Sequence, residues 1–420
     1  MIDIKRILCR FFLIFLCLEF LLGWGFFSHK KINYYFVTSL CENKDAEPLF
    51  SFYNKHINYI VDHAGDPDSR RAYSRSEGEK HFLNIECFGD DIMQQDYVSY
   101  DEFVNYYAYN LAKKLRPKLK TSEEIEKYVK NKILKEYGIN PWAIIHTKKA
   151  LTEAFKNKDT AKIIFETINL AHYIADSCVV FHCTSNYNGQ LTGQEGIHAF
   201  WESTIPQYFF DEFGVEKSIC PAKYDNNFNR TIWENVLHSN IESRRALTVE
   251  KQLDKDVKLG KFCYKARKNN VNRMHSKEYS REYNRRLKGQ IASQIKRSIM
   301  LIADAVYTAW VDAGKPILLD IAQENSPAQI ERGSGPSELI VQNKNKKGNA
   351  RSNNKNQKEK RENKDNAAGN AASGDKREIS KGATVSVVAC IVAFITAYLL
   401  KYRRKRKKEK SVNGKKGSKK

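Results

Sequence analysis

Apolar residues recur every three or four positions along much of the chain, the spacing of one face of a helix. Similar patterns cover residues 150–155 and 163–174, and Ser122 with Glu124 marks a helix start. The longest series consists of Leu287, Ile291, Ile295, Ile299, Ile302, Val306 and Ala309. Strand-like alternation is scarce, and no internal repeat is present. The pattern predicts an all-α domain of about eight to ten helices, given typical helix lengths.

The first 23 residues differ in composition from a packed domain. Lys5, Arg6 and Arg10 precede an apolar run that Glu19 interrupts. A basic start before a short apolar stretch is typical of an export signal. We expect a signal peptide over residues 1–23, cleaved after Gly23, with an uncleaved signal anchor as the alternative.

The other end of the chain predicts a linker and a membrane helix. Residues 334–381 are rich in Asn, Lys, Gly, Ala and Ser, a composition typical of a disordered linker. Residues 382–400 carry no charge and match the length of a membrane-spanning helix. The basic tail 401–420 follows at once, as on the cytoplasmic side of a type I span. We therefore expect a single-pass membrane protein with residues 24–333 on the exported side, periplasmic or extracellular.

The net charge of +22 belongs mainly to this tail and linker. Residues 334–420 contain 24 Lys and Arg against 7 Asp and Glu, which leaves 47 basic against 42 acidic residues for the rest of the chain. The charge therefore sets topology and favours contact with anionic lipid headgroups. It does not indicate a nucleic-acid-binding face on the domain.

Cysteine usage is compatible with an oxidising compartment. Three of the nine cysteines lie in the signal or the predicted span, and six remain: Cys41, Cys87, Cys178, Cys183, Cys220 and Cys263. An even number permits disulfides, but their pairing cannot be deduced from the sequence. Without a Cys-x-x-Cys pair, a thiolate zinc site is not expected.

The candidate chemistry lies between residues 172 and 202. His172 and Asp176 are four positions apart, as are His198 and Glu202, and His182 lies between the pairs. Side chains at that spacing lie on one helix face, within reach of one ion or of two neighbouring ions. Neutral imidazole and carboxylate are donors that zinc prefers. The pattern favours a metal site over structural histidines.

These residues resemble the core motif of the zinc-dependent phospholipase C and S-one/P-one nuclease superfamily. The matching segments are His172-Tyr-Ile-Ala-Asp176, then His182, then His198-Ala-Phe-Trp-Glu202. Upstream, Trp24 with His29 is similar to the mature N-terminus of the nucleases, and His81-Phe-Leu-Asn84 is similar to a segment that supplies another ligand. The resemblance covers residues 24 to about 205.

The resemblance implies a helical phosphodiesterase with three zinc ions. The ions would be held by His81, His172, Asp176 and an aspartate of residues 66–68; by His182, His198 and Glu202; and by His29, Asp176 and the free amine and carbonyl of Trp24. Asp176 would bridge two ions, and a hydroxide between them would attack phosphorus. Cleavage after Gly23 would free the amine of Trp24.

The aspartate of the first site stays open between Asp66 and Asp68. Asp66 lies fifteen positions before His81, as in the nucleases, whereas Asp68 and Arg71 reproduce the nuclease Asp-x-x-Arg pattern. Arg71 would bind a phosphate oxygen through its planar guanidinium, or else form a surface salt bridge. The candidate catalytic residues are Asp68, Arg71 and Asp176.

The chain departs from the motif at three places. Ser28 replaces a glycine, Asn84 replaces an aspartate, and residues 179–181 lack the usual Gln-Pro before the histidine. None of these changes removes a ligand, and Asn84 can still accept a hydrogen bond as a supporting group. The missing proline bears on how the preceding helix ends.

The substrate is less strongly indicated than the metal. Glu202 and the sixteen positions between His182 and His198 resemble phospholipase C, whereas the Asp-x-x-Arg pattern resembles the nucleases. A membrane tether favours a phospholipid. We expect a phosphodiester hydrolase of the phospholipase C type. A single-strand-type nuclease is the first alternative and an inactive zinc-binding surface module the second; no protein partner is predicted.

The other histidines and most tryptophans are expected in structural roles. His56, His63, His146, His238 and His275 match no motif. Four tryptophans in helical settings are predicted as core aromatics rather than base-stacking platforms: Trp142, Trp201, Trp233 and Trp310.

Overall fold

A computed structural model of the chain describes residues 25–256, 260–267 and 270–318, all within the first of two units, Met1–Lys346. This part is mostly helical, which confirms the all-α prediction. The predicted signal, Trp24, the linker, the membrane helix and the basic tail lie outside the described residues. Within the described ranges, no helix is both long enough and apolar enough to span a bilayer.

The described part contains fourteen α-helical segments. In chain order they are α1 Phe26–Cys41, α2 Glu47–Asp62, α3 Asp66–Arg70, α4 Tyr100–Glu102, α5 Tyr109–Leu115, α6 Ser122–Tyr128, α7 Leu134–Tyr137, α8 Asn140–Lys156, α9 Thr160–Cys178, α10 Ile197–Ala199, α11 Ile205–Phe209, α12 Phe228–Asp256, α13 Lys277–Arg286 and α14 Gln290–Asp312. Three π-helical turns make neighbouring segments continuous: Phe103–Ala108, Val129–Ile133 and Phe200–Thr204. With joined segments counted together, these residues form eleven helices.

The helix patterns predicted from the sequence are confirmed. The apolar series from Leu287 to Ala309 is buried along α14 and just before it. Helix α6 starts at Ser122, but Thr121 is its cap: the Thr121 hydroxyl accepts from the Glu124 N–H, and the Glu124 carboxylate accepts from the Thr121 N–H. This reciprocal pair satisfies two N–H groups that a helix start leaves without partners.

Helix α9 lies at the centre of the packing. It contacts α8, α12 and α14 as well as α1, α2 and α3. Every residue from 167 to 178 is buried, so this stretch has no solvent-facing side. A helix buried all round is normally apolar throughout. Its polar residues, above all His172 and Asp176, must therefore find partners inside the protein.

The core consists of two hydrophobic clusters. The larger one includes residues of α1, α2, α8, α9 and α14. In the smaller one, the rings of Phe103 and Trp142 stack with centroids 3.9 Å apart, and Trp233 lies beside them. Trp142, Trp201, Trp233 and Trp310 are all buried, which confirms their prediction as core aromatics.

An antiparallel hairpin was not anticipated from the sequence. Strand β1, Phe262–Arg267, pairs with β2, Asn270–His275, in a register that sets Phe262 opposite His275. Each strand has only six residues, too few for alternation to stand out from the helical pattern around it. The ring of His275 stacks on Phe200 with centroids 3.7 Å apart, so the end of the hairpin packs on the π-helical turn.

The six cysteines within the described residues are all free thiols. Cys178 and Cys183 are buried, and burial raises the pKa of both thiols. The described part therefore depends on packing and hydrogen bonds rather than on disulfides.

We predict that Ile302→Ala in α14 lowers the free energy of unfolding by about 2–5 kcal/mol, because it removes a fully buried side chain and leaves a cavity. Ile241→Ala is the matched control, since Ile241 is helical but 61% exposed, and we expect a change within about 0.5 kcal/mol. Chemical denaturation of both variants measures the difference. Equal losses would contradict the assigned core.

Candidate metal centre

Eight histidine and carboxylate side chains converge beside α9. They come from α1, α3, the short turns Gly78–His81 and Val180–Cys183, α9 itself, and α10 with the π-helical turn after it. Their ligand atoms form three groups, and within each group the atoms lie within 4.8 Å of one another: His29, His172 and Asp176; Asp68, His81 and His172; His182, His198 and Glu202. These buried groups could hold metal ions.

The Asp176 carboxylate links the groups, because its two oxygens face different neighbours. Oδ2 lies 2.8 Å from His81 Nδ1 and 3.4 Å from His172 Nε2. Oδ1 lies 3.6 Å from His29 Nε2 and 3.7 Å from His182 Nδ1. A carboxylate in this setting can be shared between two cation positions.

Backbone carbonyls orient two of the rings. His172 Nδ1 lies 2.9 Å from the carbonyl oxygen of Ala64, and His182 Nδ1 lies 2.8 Å from that of His81. A carbonyl only accepts, so Nδ1 carries the proton and donates it in both rings. Once either ring is neutral, its Nε2 carries the lone pair and points into the cluster, as in histidines that bind metals.

The turn that carries His182 forms without a proline before the histidine. Helix α9 ends at Cys178, and Val179 adopts an extended conformation. The Val179 N–H donates to the Asp176 carbonyl at 2.9 Å, and the His182 N–H donates to the Val179 carbonyl at 2.9 Å. These two bonds hold His182 close to Asp176 and replace the stop that a proline would impose.

Five buried polar atoms of the cluster have no hydrogen-bond partner in the described structure: His29 Nε2, His81 Nε2, Asp176 Oδ1, His198 Nε2 and Glu202 Oε2. A buried polar atom without a partner destabilises a fold by about 1–3 kcal/mol. Four of them face other ligand atoms of the three groups. A cation among them would satisfy these atoms, which supports a metal site on structural grounds.

The carboxylates of the cluster differ in charge state. Burial raises the pKa of Glu202 well above its ordinary value. Burial also opposes ionisation of Asp68 and Asp176, but the charge of His172 holds the pKa of both well below the usual range. A bound cation would favour the ionised form of all three carboxylates.

The histidines also differ. Burial lowers the pKa of His29 and His198 to about 4, so both are neutral at pH 7. Burial also acts to lower the pKa of His172, but Asp176 and Asp68 outweigh it and raise the value to about 10. His29 and His198 are therefore already in the form that binds a metal, whereas His172 must first lose a proton.

Of the two aspartates that the sequence left open, only Asp68 reaches the cluster. Its Oδ1 lies 3.6 Å from His81 Nδ1 and 3.7 Å from His172 Nε2. Asp66 is 41% exposed and contacts His63 Nδ1 at 2.8 Å. Asp66 belongs to none of the three groups.

Arg71 lies at the edge of the cluster. Its NH1 is 3.4 Å from Asp68 Oδ1, and its side chain is 25% exposed. The guanidinium thus reaches both a cluster carboxylate and the solvent. Trp24, the remaining predicted ligand, lies outside the described residues.

Glu77 was missed in the sequence. It is buried, and its Oε1 lies 3.8 Å from His81 Nε2. Glu77 precedes His81 by four positions, the spacing of the two pairs that were recognised. The repeated four-residue spacing could have indicated Glu77. In the sequence, however, Glu77 is one of several charged residues in a segment that looks exposed.

Comparisons with known proteins do not assign the chain to a family. It matches no family model, and no curated protein is significantly similar to it in sequence. Its function is therefore inferred from the cluster geometry and from the short motifs around it.

Proposed function

We propose that the chain is a zinc-dependent phosphodiester hydrolase of the phospholipase C type. The observation that carries the proposal is the set of three buried ligand groups, two of which share His172. Imidazole and carboxylate donors without thiolate suit zinc, whereas calcium and magnesium favour all-oxygen sites. The motif resemblance between His172 and Glu202 supports the same reaction class.

The distances between donor atoms also support zinc. With zinc bonds of about 2.0–2.2 Å, two donors on one tetrahedral ion lie about 3.3 Å apart. His172 Nε2 is 3.3 Å from His81 Nδ1 and 3.4 Å from Asp176 Oδ2, and His198 Nε2 is 3.1 Å from Glu202 Oε2. These separations match without large rearrangement.

Three zinc ions are proposed. Their ligands would be Asp68, His81, His172 and Asp176; His182, His198 and Glu202; and His29 and Asp176 with the amine and carbonyl of Trp24. The part of Trp24 depends on cleavage after Gly23, and the proposal of an exported, membrane-anchored protein rests on the composition of residues 1–23 and 382–408.

When bound, the zinc ions would polarise the phosphodiester and supply an acidified water as nucleophile. Asp176 keeps the ligand groups together, since each of its oxygens faces a different pair of histidines. Arg71, which lies beside Asp68 and is partly exposed, would bind a phosphate oxygen. Burial of the remaining ligands excludes bulk water, which strengthens their electrostatic interactions.

A nuclease is the second candidate, because one observation favours it. Asp68 and Arg71, the pair that resembles the nucleases, are in contact at 3.4 Å. A fixed guanidinium beside the ligands suits a nucleic-acid phosphate as well as a lipid phosphate. The substrate tests below separate the two.

We predict that His172→Ala lowers zinc-dependent hydrolysis by more than about a hundredfold, since even residues that only support a ligand change activity by about 10–100-fold. His146→Ala is the control: His146 is half-buried in α8 and belongs to no ligand group. Turnover of bis(p-nitrophenyl)phosphate, phosphatidylcholine and single-stranded DNA is measured with the purified zinc-loaded protein.

The preferred natural substrate in this assay decides between lipase and nuclease. Turnover that survives in His172→Ala would contradict the proposed site. Stoichiometric zinc binding with no turnover on any of the three substrates would reject the hydrolase and favour an inactive zinc-binding module.

We predict that zinc binding releases protons at pH 7. His172, with its pKa raised to about 10, is protonated at that pH and must lose a proton to bind, and the raised pKa of Glu202 acts in the same direction. His29 and His198 are already neutral and release none. Zinc affinity should therefore rise as the pH increases from 7 towards 10. Calorimetry in two buffers of different ionisation enthalpy counts the protons, and a count of zero would contradict these ligand roles.

A further inference from the structure

The two ring nitrogens of His81 face different environments. Nδ1 points into the cluster, 2.8 Å from Asp176 Oδ2 and 3.3 Å from His172 Nε2. Nε2 lies on the opposite edge of the ring, is buried, and has no hydrogen-bond partner within the described residues. The carboxylate oxygen paired with Nε2 is Glu77 Oε1, which lies 3.8 Å away.

Glu77 is held as a carboxylate. The hydroxyl of Tyr173 donates to Oε1, Arg70 NH2 lies 3.4 Å from the same oxygen, and Lys80 Nζ lies 3.1 Å from Oε2. An ionised carboxylate only accepts hydrogen bonds, so the proton between Glu77 and His81 belongs to the ring.

This carboxylate is anchored to the central helix. Tyr173 lies on α9, and Arg70 also donates to Asn169 of α9. Asn140 Nδ2 donates to the carbonyls of Lys80 and Tyr173, at 2.9 and 3.0 Å, and so ties the turn that carries His81 to the same helix. Glu77 therefore has little freedom to move away from His81.

We infer that Glu77 is a positioning residue for the metal ligand His81. Its carboxylate accepts the Nε2–H of the neutral ring and thereby selects the tautomer that presents the Nδ1 lone pair to the metal. A neutral imidazole has one N–H and one lone pair, so fixing the first directs the second. The inference rests on the proposed metal site and adds a residue that the motif does not contain.

The gap of 3.8 Å is consistent with this role. His81 Nδ1 and Asp176 Oδ2 are 2.8 Å apart, whereas two donors on one zinc ion lie about 3.3 Å apart. The role requires that zinc binding separates the two atoms by moving the ring towards Glu77, which brings Nε2 and Oε1 closer to hydrogen-bond distance.

Glu250 provides a matched control for Glu77. Both are 3% exposed, and both accept a tyrosine hydroxyl and lie close to a lysine ammonium. Glu250 Oε1 lies 2.8 Å from Tyr279 Oη and 2.7 Å from Lys261 Nζ. Because Glu250 belongs to none of the ligand groups, its replacement tests the loss of a buried ion pair alone.

The test compares Glu77→Gln and Glu250→Gln in the full chain. Zinc affinity is measured by competition with a chromophoric chelator, and thermal unfolding monitors stability. We expect Glu77→Gln to weaken zinc binding by about 10–100-fold, the range for groups that support a metal ligand. Glu250→Gln should lower the melting temperature similarly but change zinc affinity by less than about twofold, since Glu250 contacts none of the ligand side chains in the described ion pairs and hydrogen bonds.

A second readout is the His81 tautomer. Long-range ¹H–¹⁵N spectra of histidine-labelled, zinc-loaded protein should show His81 protonated at Nε2 and metal-bound at Nδ1. Binding through Nε2, unchanged affinity in Glu77→Gln, or equal loss in both variants would overturn the inference. If the wild-type protein binds no zinc, the proposed metal site is rejected, and the role of Glu77 with it. The wild-type measurement therefore distinguishes failure of the metal site from failure of the Glu77 inference.

Discussion

The burial of the Asp176 carboxylate is the constraint on which the rest of the structure depends. An ionised carboxylate in a protein interior is strongly unfavourable unless charged or hydrogen-bonding groups surround it. Asp176 lies on the stretch of α9 that has no exposed side, so solvent cannot stabilise it. Four histidine rings surround the carboxylate in place of solvent. They come from α1 (His29), from two short turns (His81 and His182) and from α9 itself (His172).

The histidines and carboxylates of the cluster do not provide hydrogen-bond partners for all of one another's buried atoms. Several of their buried atoms have no hydrogen-bond partner within the described residues, and burial leaves Glu202 with a raised pKa. A cation resolves both conditions, because it accepts lone pairs from every donor and stabilises the ionised carboxylates. Binding energy at such a site is also folding energy, since the ligands come together only in the folded chain.

The histidine rings of the cluster are oriented by atoms that lie outside the three ligand groups. The carbonyls of Ala64 and His81 orient two rings, and the carboxylate of Glu77 faces a third. Glu202 lies in a π-helical turn, an irregularity that often marks functional sites. The hairpin packs on that turn through His275 and Phe200, so an element outside the cluster contacts the turn that carries Glu202.

Local patterns were sufficient to predict part of this. The helices around α9 and α14 follow from apolar periodicity, and the pairs His172 with Asp176 and His198 with Glu202 follow from four-residue spacing, because both depend on the geometry of a single helix. Which aspartate joins them was decided by the tertiary structure alone: Asp66 and Asp68 are two positions apart, but only Asp68 faces the interior from α3. Glu77 was missed because its contacts with Arg70 and with Tyr173 of α9 form only in the folded chain, whereas the hairpin was missed because its six-residue strands are too short to show alternation. The sequence thus determined the helices and the kinds of donor, whereas packing around one buried helix decided which donors meet.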